Sequence, residues 1–116
     1  MSDNTILDYD EFMNRVQNDK ELFFELLDIF VQDFQKKRIE LEEAVKKDDA
    51  QSIEHIAHFL KGSCGNISAK PLRNIFTELE EKGRANDLED MKRYLSDIDQ
   101  KFEELAICIG EIRQEL

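Results

Sequence analysis

The sequence predicts an all-α protein, an antiparallel up-and-down four-helix bundle with a short additional helix at its N-terminus. Apolar residues recur at three- and four-residue spacings along most of the chain, and no segment alternates as a strand does. With only 4 glycines and 1 proline in 116 residues, the composition suits helices joined by short turns. Short connections between long amphipathic helices favour antiparallel neighbours. The length allows one core and is too small for two, so residues 1–116 are read as one domain.

Each element has its own start and stripe. Asp8 followed by Glu11 is an N-cap with an acidic first turn, opening a short helix that carries Phe12, Met13 and Val16. The next helix opens near Asp19 and places Phe23, Leu27, Phe30, Phe34, Leu41 and Val45 on one stripe. Leu22, Leu26 and Ile29 lie to one side of it and are expected to receive the short first helix. The alternative leaves them exposed as an apolar docking edge. Lys36-Lys37-Arg38 is read as a solvated turn balanced by Glu40, Glu42 and Glu43.

Asp48-Asp49 ends that pattern, with Asp49 or Ser52 capping a third helix whose stripe is Ile53, Ile56, Ala57, Leu60, Cys64 and Ile67. A fourth helix starts near Pro71, carries Leu72, Ile75, Phe76 and Leu79, and is expected to stop at Gly83. The last opens with Asp87 and Asp90. It runs on Leu88, Met91, Leu95, Ile98, Phe102, Leu105, Ile109 and Ile112. Cys108 falls off this stripe and Ile107 more so, which predicts an exposed patch near the C-terminus.

The third helix carries the chemistry. On a wheel of about 100° per residue, His58 lies about 140° from the centre of the apolar stripe and faces water. Lys61, Gly62 and Gly65 fall within roughly 60° of it, because residues three, four and seven apart share a face. Each helical glycine costs roughly 1 kcal/mol relative to alanine, so something other than helix stability favours them there. The physical use is access: without side chains beside it, the imidazole stands clear for another macromolecule. A neutral, unhindered imidazole is a competent nucleophile, and Lys61 supplies a compact cation where a phosphoryl group on it would sit.

At these residues the chain resembles the histidine phosphotransfer (HPt) domains of multistep phosphorelays. Ala57-His58-Phe59-Leu60-Lys61-Gly62-Ser63 matches their motif, and Asn66-Ile67-Ser68-Ala69 with Leu72 is similar to the segment that follows. Leu26-Leu27 with Phe30, and Leu79-Glu80, are also similar. Ser68 stands where the family usually has the glycine that closes the helix, so the turn there is expected to differ. The resemblance implies that His58 is the phosphoacceptor, Lys61 the phosphate-stabilising cation and Gly62 the clearance residue, with Gly65 extending the clearance. It also implies receiver domains of response regulators or hybrid histidine kinases as partners. These would bring the phosphoaspartate, the Mg2+ and most of the transition-state stabilisation.

Two neighbours of His58 are open to more than one reading. Glu54, four residues earlier, is placed to accept a hydrogen bond from the ring nitrogen that is not phosphorylated, although a plain surface charge explains it more simply. His55 lies one turn before His58. With Glu54 and Cys64 it suggests a metal site, but Cys64 belongs to the buried stripe and no HExxH or CxxC spacing is present, so no metal or cofactor is expected. Ser63 has no base placed for it, and its hydroxyl is expected to bond back to its own helix.

Composition excludes other classes. A formal net charge of -11 repels the phosphates of nucleic acids and anionic lipid. Lys61, Lys70 and Arg73 make a local basic patch beside His58. No run of about 18 apolar residues and no basic, apolar leader is present, so the expectation is a soluble, cytoplasmic, free-standing monomer with Cys64 and Cys108 reduced. Two function classes stay in view: a phosphorelay intermediate, and a helical module that binds a receiver or histidine kinase without carrying phosphate. An independent enzyme is disfavoured, because the carboxylates are spread over solvated faces with no glycine-rich phosphate loop.

Overall fold

The computed structural model describes residues 6–115. Five helices follow in order, α1 (Tyr9–Arg15), α2 (Lys20–Lys46), α3 (Ala50–Asn66), α4 (Lys70–Arg84) and α5 (Met91–Glu115), with no strand among the described residues. The caps of α1, α2 and α3 lie where the sequence places them, whereas α5 begins only at Met91, so Asp87, which accepts from the Glu89 amide, and Leu88 lie in the connection before it. Asp8, Asp19 and Asp49 accept hydrogen bonds from the amides of Glu11, Leu22 and Ser52, which satisfies amides that a helix start leaves without partners. Ser52 donates its hydroxyl to Asp49 as well, at 2.7 Å, so both cap candidates act together.

Contacts between helices fix the antiparallel order. Arg73 lies beside Gly65, Glu80 beside His58, and Gly83 beside Glu54, so α4 runs back along α3. Phe102 stacks on Phe34 with ring centroids 4.1 Å apart, Asp99 meets Arg38, and Arg113 lies over Phe24, so α5 runs back along α2. The α3–α4 pair is the most extensive helix contact. One continuous core joins Phe12, Phe23, Phe34, Leu60, Phe76 and Ile98 with residues from every helix.

Several expectations are corrected. Gly83 does not stop α4: it is the last residue but one of that helix, and the chain turns at Asn86 with φ of 55°. No glycine has positive φ. The left-handed positions are held by Gln17, Asn18, Asp48, Ser68, Asn86 and Asp90. A Cβ on Gly83 would stand 2.8 Å from the Glu54 amide nitrogen and 3.0 Å from the Ala50 carbonyl oxygen, so the glycine permits close approach of α3 and α4. Cys108 is buried, whereas Ile107 is exposed as expected. Cys108 lies three residues after Leu105 and four before Ile112, both buried stripe residues, so it joins the edge of the same strip.

The first helix is not received by Leu22, Leu26 and Ile29. Tyr9 and Phe12 pack on Phe23 instead, leaving Leu22 and Ile29 exposed and Leu26 half-buried. Nor is Lys36-Lys37-Arg38 simply solvated. Arg38 makes a two-pronged contact to Asp99 at 2.7 and 2.8 Å and another to Glu42 at 2.9 Å, tying α2 to α5. Ser68 keeps the closing geometry that the family assigns to glycine, with φ of 62°, and its hydroxyl donates to Glu11 at 2.6 Å. That bond offsets part of the cost of a left-handed non-glycine residue.

Candidate functional site

His58 stands on the outer face of α3 with 69% of its side chain exposed. The stripe opposite it, Ile53, Ile56, Ala57, Leu60 and Cys64, is buried, so the orientation follows from the helix period. Burial pushes the Cys64 thiol up to about 12, which makes it a core residue without reactive character. Gly62 shares the outer face, and a Cβ added there would meet nothing within 4 Å. Its absence of a side chain therefore answers to no packing need inside the molecule. Gly65 differs only slightly, since a Cβ there would make ordinary contact with Arg73 at 3.6 Å.

The ring is held from across the helix pair. Glu80 of α4, buried with only 6% of its side chain exposed, places Oε2 2.8 Å from His58 Nδ1. Its other oxygen, Oε1, lies 2.6 Å from Lys61 Nζ. Arg84, one turn later on α4, donates to Oε2 at 3.1 Å and also to Glu54 at 3.1 Å. The Glu80 carboxyl sits below its ordinary value of 4.5, first because of the Lys61 hydrogen bond, which outweighs desolvation, and then through His58. An ionised carboxylate accepts only, so Nδ1 carries the proton, and in the neutral ring Nε2 presents its lone pair to solvent.

Glu54, the sequence candidate for this tautomer-setting role, does not touch His58; it is one link removed, through Arg84 and Glu80. Glu80 was not legible as the partner because it lies 22 residues away on another helix, where no local spacing reaches it. His55 is exposed on the same helix and makes no hydrogen bond to His58. Among the described residues no group of histidine, cysteine, aspartate and glutamate side chains is arranged to hold a metal ion. The basic patch is mostly neutralised. Lys61 pairs with Glu80, and Lys70 pairs with Asp8 and Glu11, leaving Arg73 exposed beside Gly65.

Apolar surface lies on the α2 side of α3, away from the charged groups of α4. Phe59 is 43% exposed with Lys37 over its ring at 4.9 Å, and a shallow groove between α2 and α3 is lined by Leu26, Ile29, Asp33, Ser63, Asn66 and Ile67. Ser63 donates to the Phe59 carbonyl at 3.1 Å, as its motif position suggests. At the far end of this face, Arg15 of α1 donates to the Gly65 and Asn66 carbonyls, satisfying acceptors at the end of α3.

A helical bundle presenting a solvent-facing histidine whose Nδ1 is engaged, with a neighbouring lysine and a cleared glycine face, defines the class of histidine phosphotransfer modules. The sequence profile of the Hpt domain matches residues 25–115, and the chain belongs to that family, whose members act in two-component phosphorelays with receiver domains. Its structure is similar to the crystal structure of histidine-containing phosphotransfer protein B (HptB) from Pseudomonas aeruginosa PAO1. The TM-score is 0.90 and the identity 27%, over 98% of this chain and 99% of that one. No curated protein sequence matches the chain. Among the described residues no helix is long and apolar enough to cross a membrane.

Proposed function

We propose that the chain is a phosphorelay intermediate in which His58 accepts a phosphoryl group from a receiver phosphoaspartate and passes it to another receiver aspartate. The observation that carries this reading is the state of the ring: Nδ1 engaged by Glu80, Nε2 free, and open space over Gly62. The Nε2 lone pair attacks phosphorus and an N–P bond forms. The acyl phosphate C–O–P bridge breaks at phosphorus, and the electron pair leaves with the aspartate carboxylate. The chain supplies a nucleophile and a cation, Lys61. The receiver supplies Mg2+ and the rest of the stabilisation, so this chain acts as a carrier without catalytic machinery of its own.

A receiver approaching His58 meets Gly62 and Gly65 first. Phe59 and the Leu26–Ile29 groove lie beside them as the apolar contact around the polar centre. This supports a carrier whose specificity is set by surface rather than by chemistry. The test is transfer from a panel of phosphorylated receiver domains, with the modified residue mapped under alkaline conditions. An acid-labile phosphate on His58 of the parent, absent from His58→Gln, is expected. Receivers that bind without ever labelling His58 would instead assign the chain to the non-phosphorylated interaction modules.

A further inference from the structure

We propose that Glu80 keeps a proton on Nδ1 of His58 throughout the phosphorylated state, so that the imidazole leaves as a neutral group in the onward transfer. This rests on His58 being the phosphoacceptor. In that transfer a receiver carboxylate oxygen attacks phosphorus, the Nε2–P bond breaks, and its electron pair returns to Nε2. If Nδ1 still carries its proton, the departing ring is neutral imidazole. If Nδ1 has lost it, the ring must depart as imidazolate, a far poorer leaving group. An unperturbed imidazole titrates at about 6.5, so without help much of the carrier would lose the proton near neutral pH.

The geometry supplies that help. Glu80 Oε2 lies 2.8 Å from Nδ1, and its carboxylate is buried in the α3–α4 contact. The charged groups facing it are Lys61 and His58 from α3 and Arg84 from its own helix, with Glu54 of α3 holding Arg84 from outside. Among the described residues no charged group of α2 or α5 pairs with it. In the unphosphorylated protein Lys61 occupies Oε1 at 2.6 Å, but Lys61 is 33% exposed and its ammonium is a mobile point charge. A phosphoryl group on Nε2 draws Lys61 toward itself. The carboxylate then loses one of its two cations and turns more of its charge onto the Nδ1 proton. Phosphorylation thereby strengthens the grip on the proton that the next transfer needs.

The test uses phosphoramidate, a small donor that needs no partner, on the full chain and on Glu80→Gln. A glutamine carbonyl still accepts from Nδ1, so orientation is kept and the charge is removed. Two quantities are read across pH 5.5 to 9: the 31P signal of the phosphohistidine, and its hydrolysis rate with water as acceptor. In the parent the titration midpoint is expected at least one pH unit above that of free Nε2-phosphohistidine, with hydrolysis flat through neutral pH. In Glu80→Gln the midpoint should return toward the free value, and hydrolysis should slow about tenfold per pH unit above it. A parent midpoint equal to that of the free amino acid overturns the proposal, even if the variant does not fold. So do coincident profiles in the two proteins. Absence of any phosphoryl group on parental His58, from phosphoramidate and from phosphorylated receiver domains alike, would instead refute the carrier reading itself.

Discussion

Two glycines of this chain show how one residue type serves opposite ends. Gly62 faces open space and Gly83 faces backbone, so the same added methyl has different consequences. At Gly62 nothing inside the molecule resists a side chain, and a better helix former should stabilise α3 by roughly 1 kcal/mol. Gly62→Leu is therefore expected to melt no lower than the parent. Its transfer from a phosphorylated receiver should nevertheless be slower by roughly tenfold or more, the effect of about 1.4 kcal/mol of steric obstruction at the transition state. Phosphoramidate, being small, should label His58 of this variant at close to the parental rate. Equal loss with both donors would show that Gly62 shapes the imidazole rather than the approach to it. This face was legible in the sequence because one helix period sets His58, Lys61, Gly62 and Gly65 together. Glu80 was not legible as the ring's partner, since which residues meet across two helices depends on how far one slides along the other. Lys61 accordingly changes character: the sequence suggests a waiting cation, and the structure places it on the carboxylate that also holds the ring.

The α3–α4 pair sets that slide, and at Gly83 the backbones of the two helices approach closely. Alanine there would bring a Cβ to 2.8 Å of the Glu54 nitrogen and 3.0 Å of its Cα, and backbone cannot swing aside as a side chain can. Overpacking of this kind costs about 1–3 kcal/mol. The gain in helix propensity offsets roughly 1 of that, leaving Gly83→Ala less stable by up to about 2 kcal/mol. Urea denaturation measures this directly, and a variant as stable as the parent would refute the close-packing role. Because Glu80 and Arg84 lie within a turn of Gly83, the displaced helix should also loosen the Nδ1 contact and slow labelling of His58 by phosphoramidate. The sequence expectation for Gly83 failed for a physical reason. A glycine near a helix end stops helices by adopting positive φ, yet Asn86 takes that role here with φ of 55°. Ser68 makes the same point in reverse: a non-glycine holds the closing turn because Glu11 of α1 accepts its hydroxyl proton. Helix order, caps and most core stripes were legible, because each is written in local spacing. The seating of α1 on Phe23 rather than on Leu22, Leu26 and Ile29 was not, and neither was the burial of Cys108, since both depend on which neighbour lies across.

At the scale of the whole molecule two electrostatic effects oppose each other as pH falls. With a formal net charge of -11, eleven carboxylates have no basic side chain to match them, and their mutual repulsion weakens the compact state at pH 7. Lowering pH toward 5 begins to remove that charge and should raise stability, as should screening salt at pH 7, where most ion pairs are exposed and individually small contributors. The opposing effect comes from particular groups. Glu80 is held below its ordinary value of 4.5, chiefly by Lys61; Glu11 by Ser68 and Lys70; and Asp49 by Ser52. A depressed folded-state value means that the unfolded chain binds these protons first on acidification. Their contribution is thus complete above about 4.5 and is lost as pH falls through the folded values. Stability should therefore rise gently from pH 8 to about 5 and fall steeply below about 4.5. Chemical denaturation at half-unit pH intervals from 3 to 8 checks both arms. In Glu80→Gln the gentle arm should survive, because net repulsion barely changes, while the acid arm should become shallower by the share of the one carboxylate that joins His58, Lys61 and Arg84. An unchanged acid arm would mean that Glu80 takes up its proton at the same pH in the folded and the unfolded chain, and then its contacts to Lys61, Arg84 and His58 would hold no carboxylate charge in place for the ring.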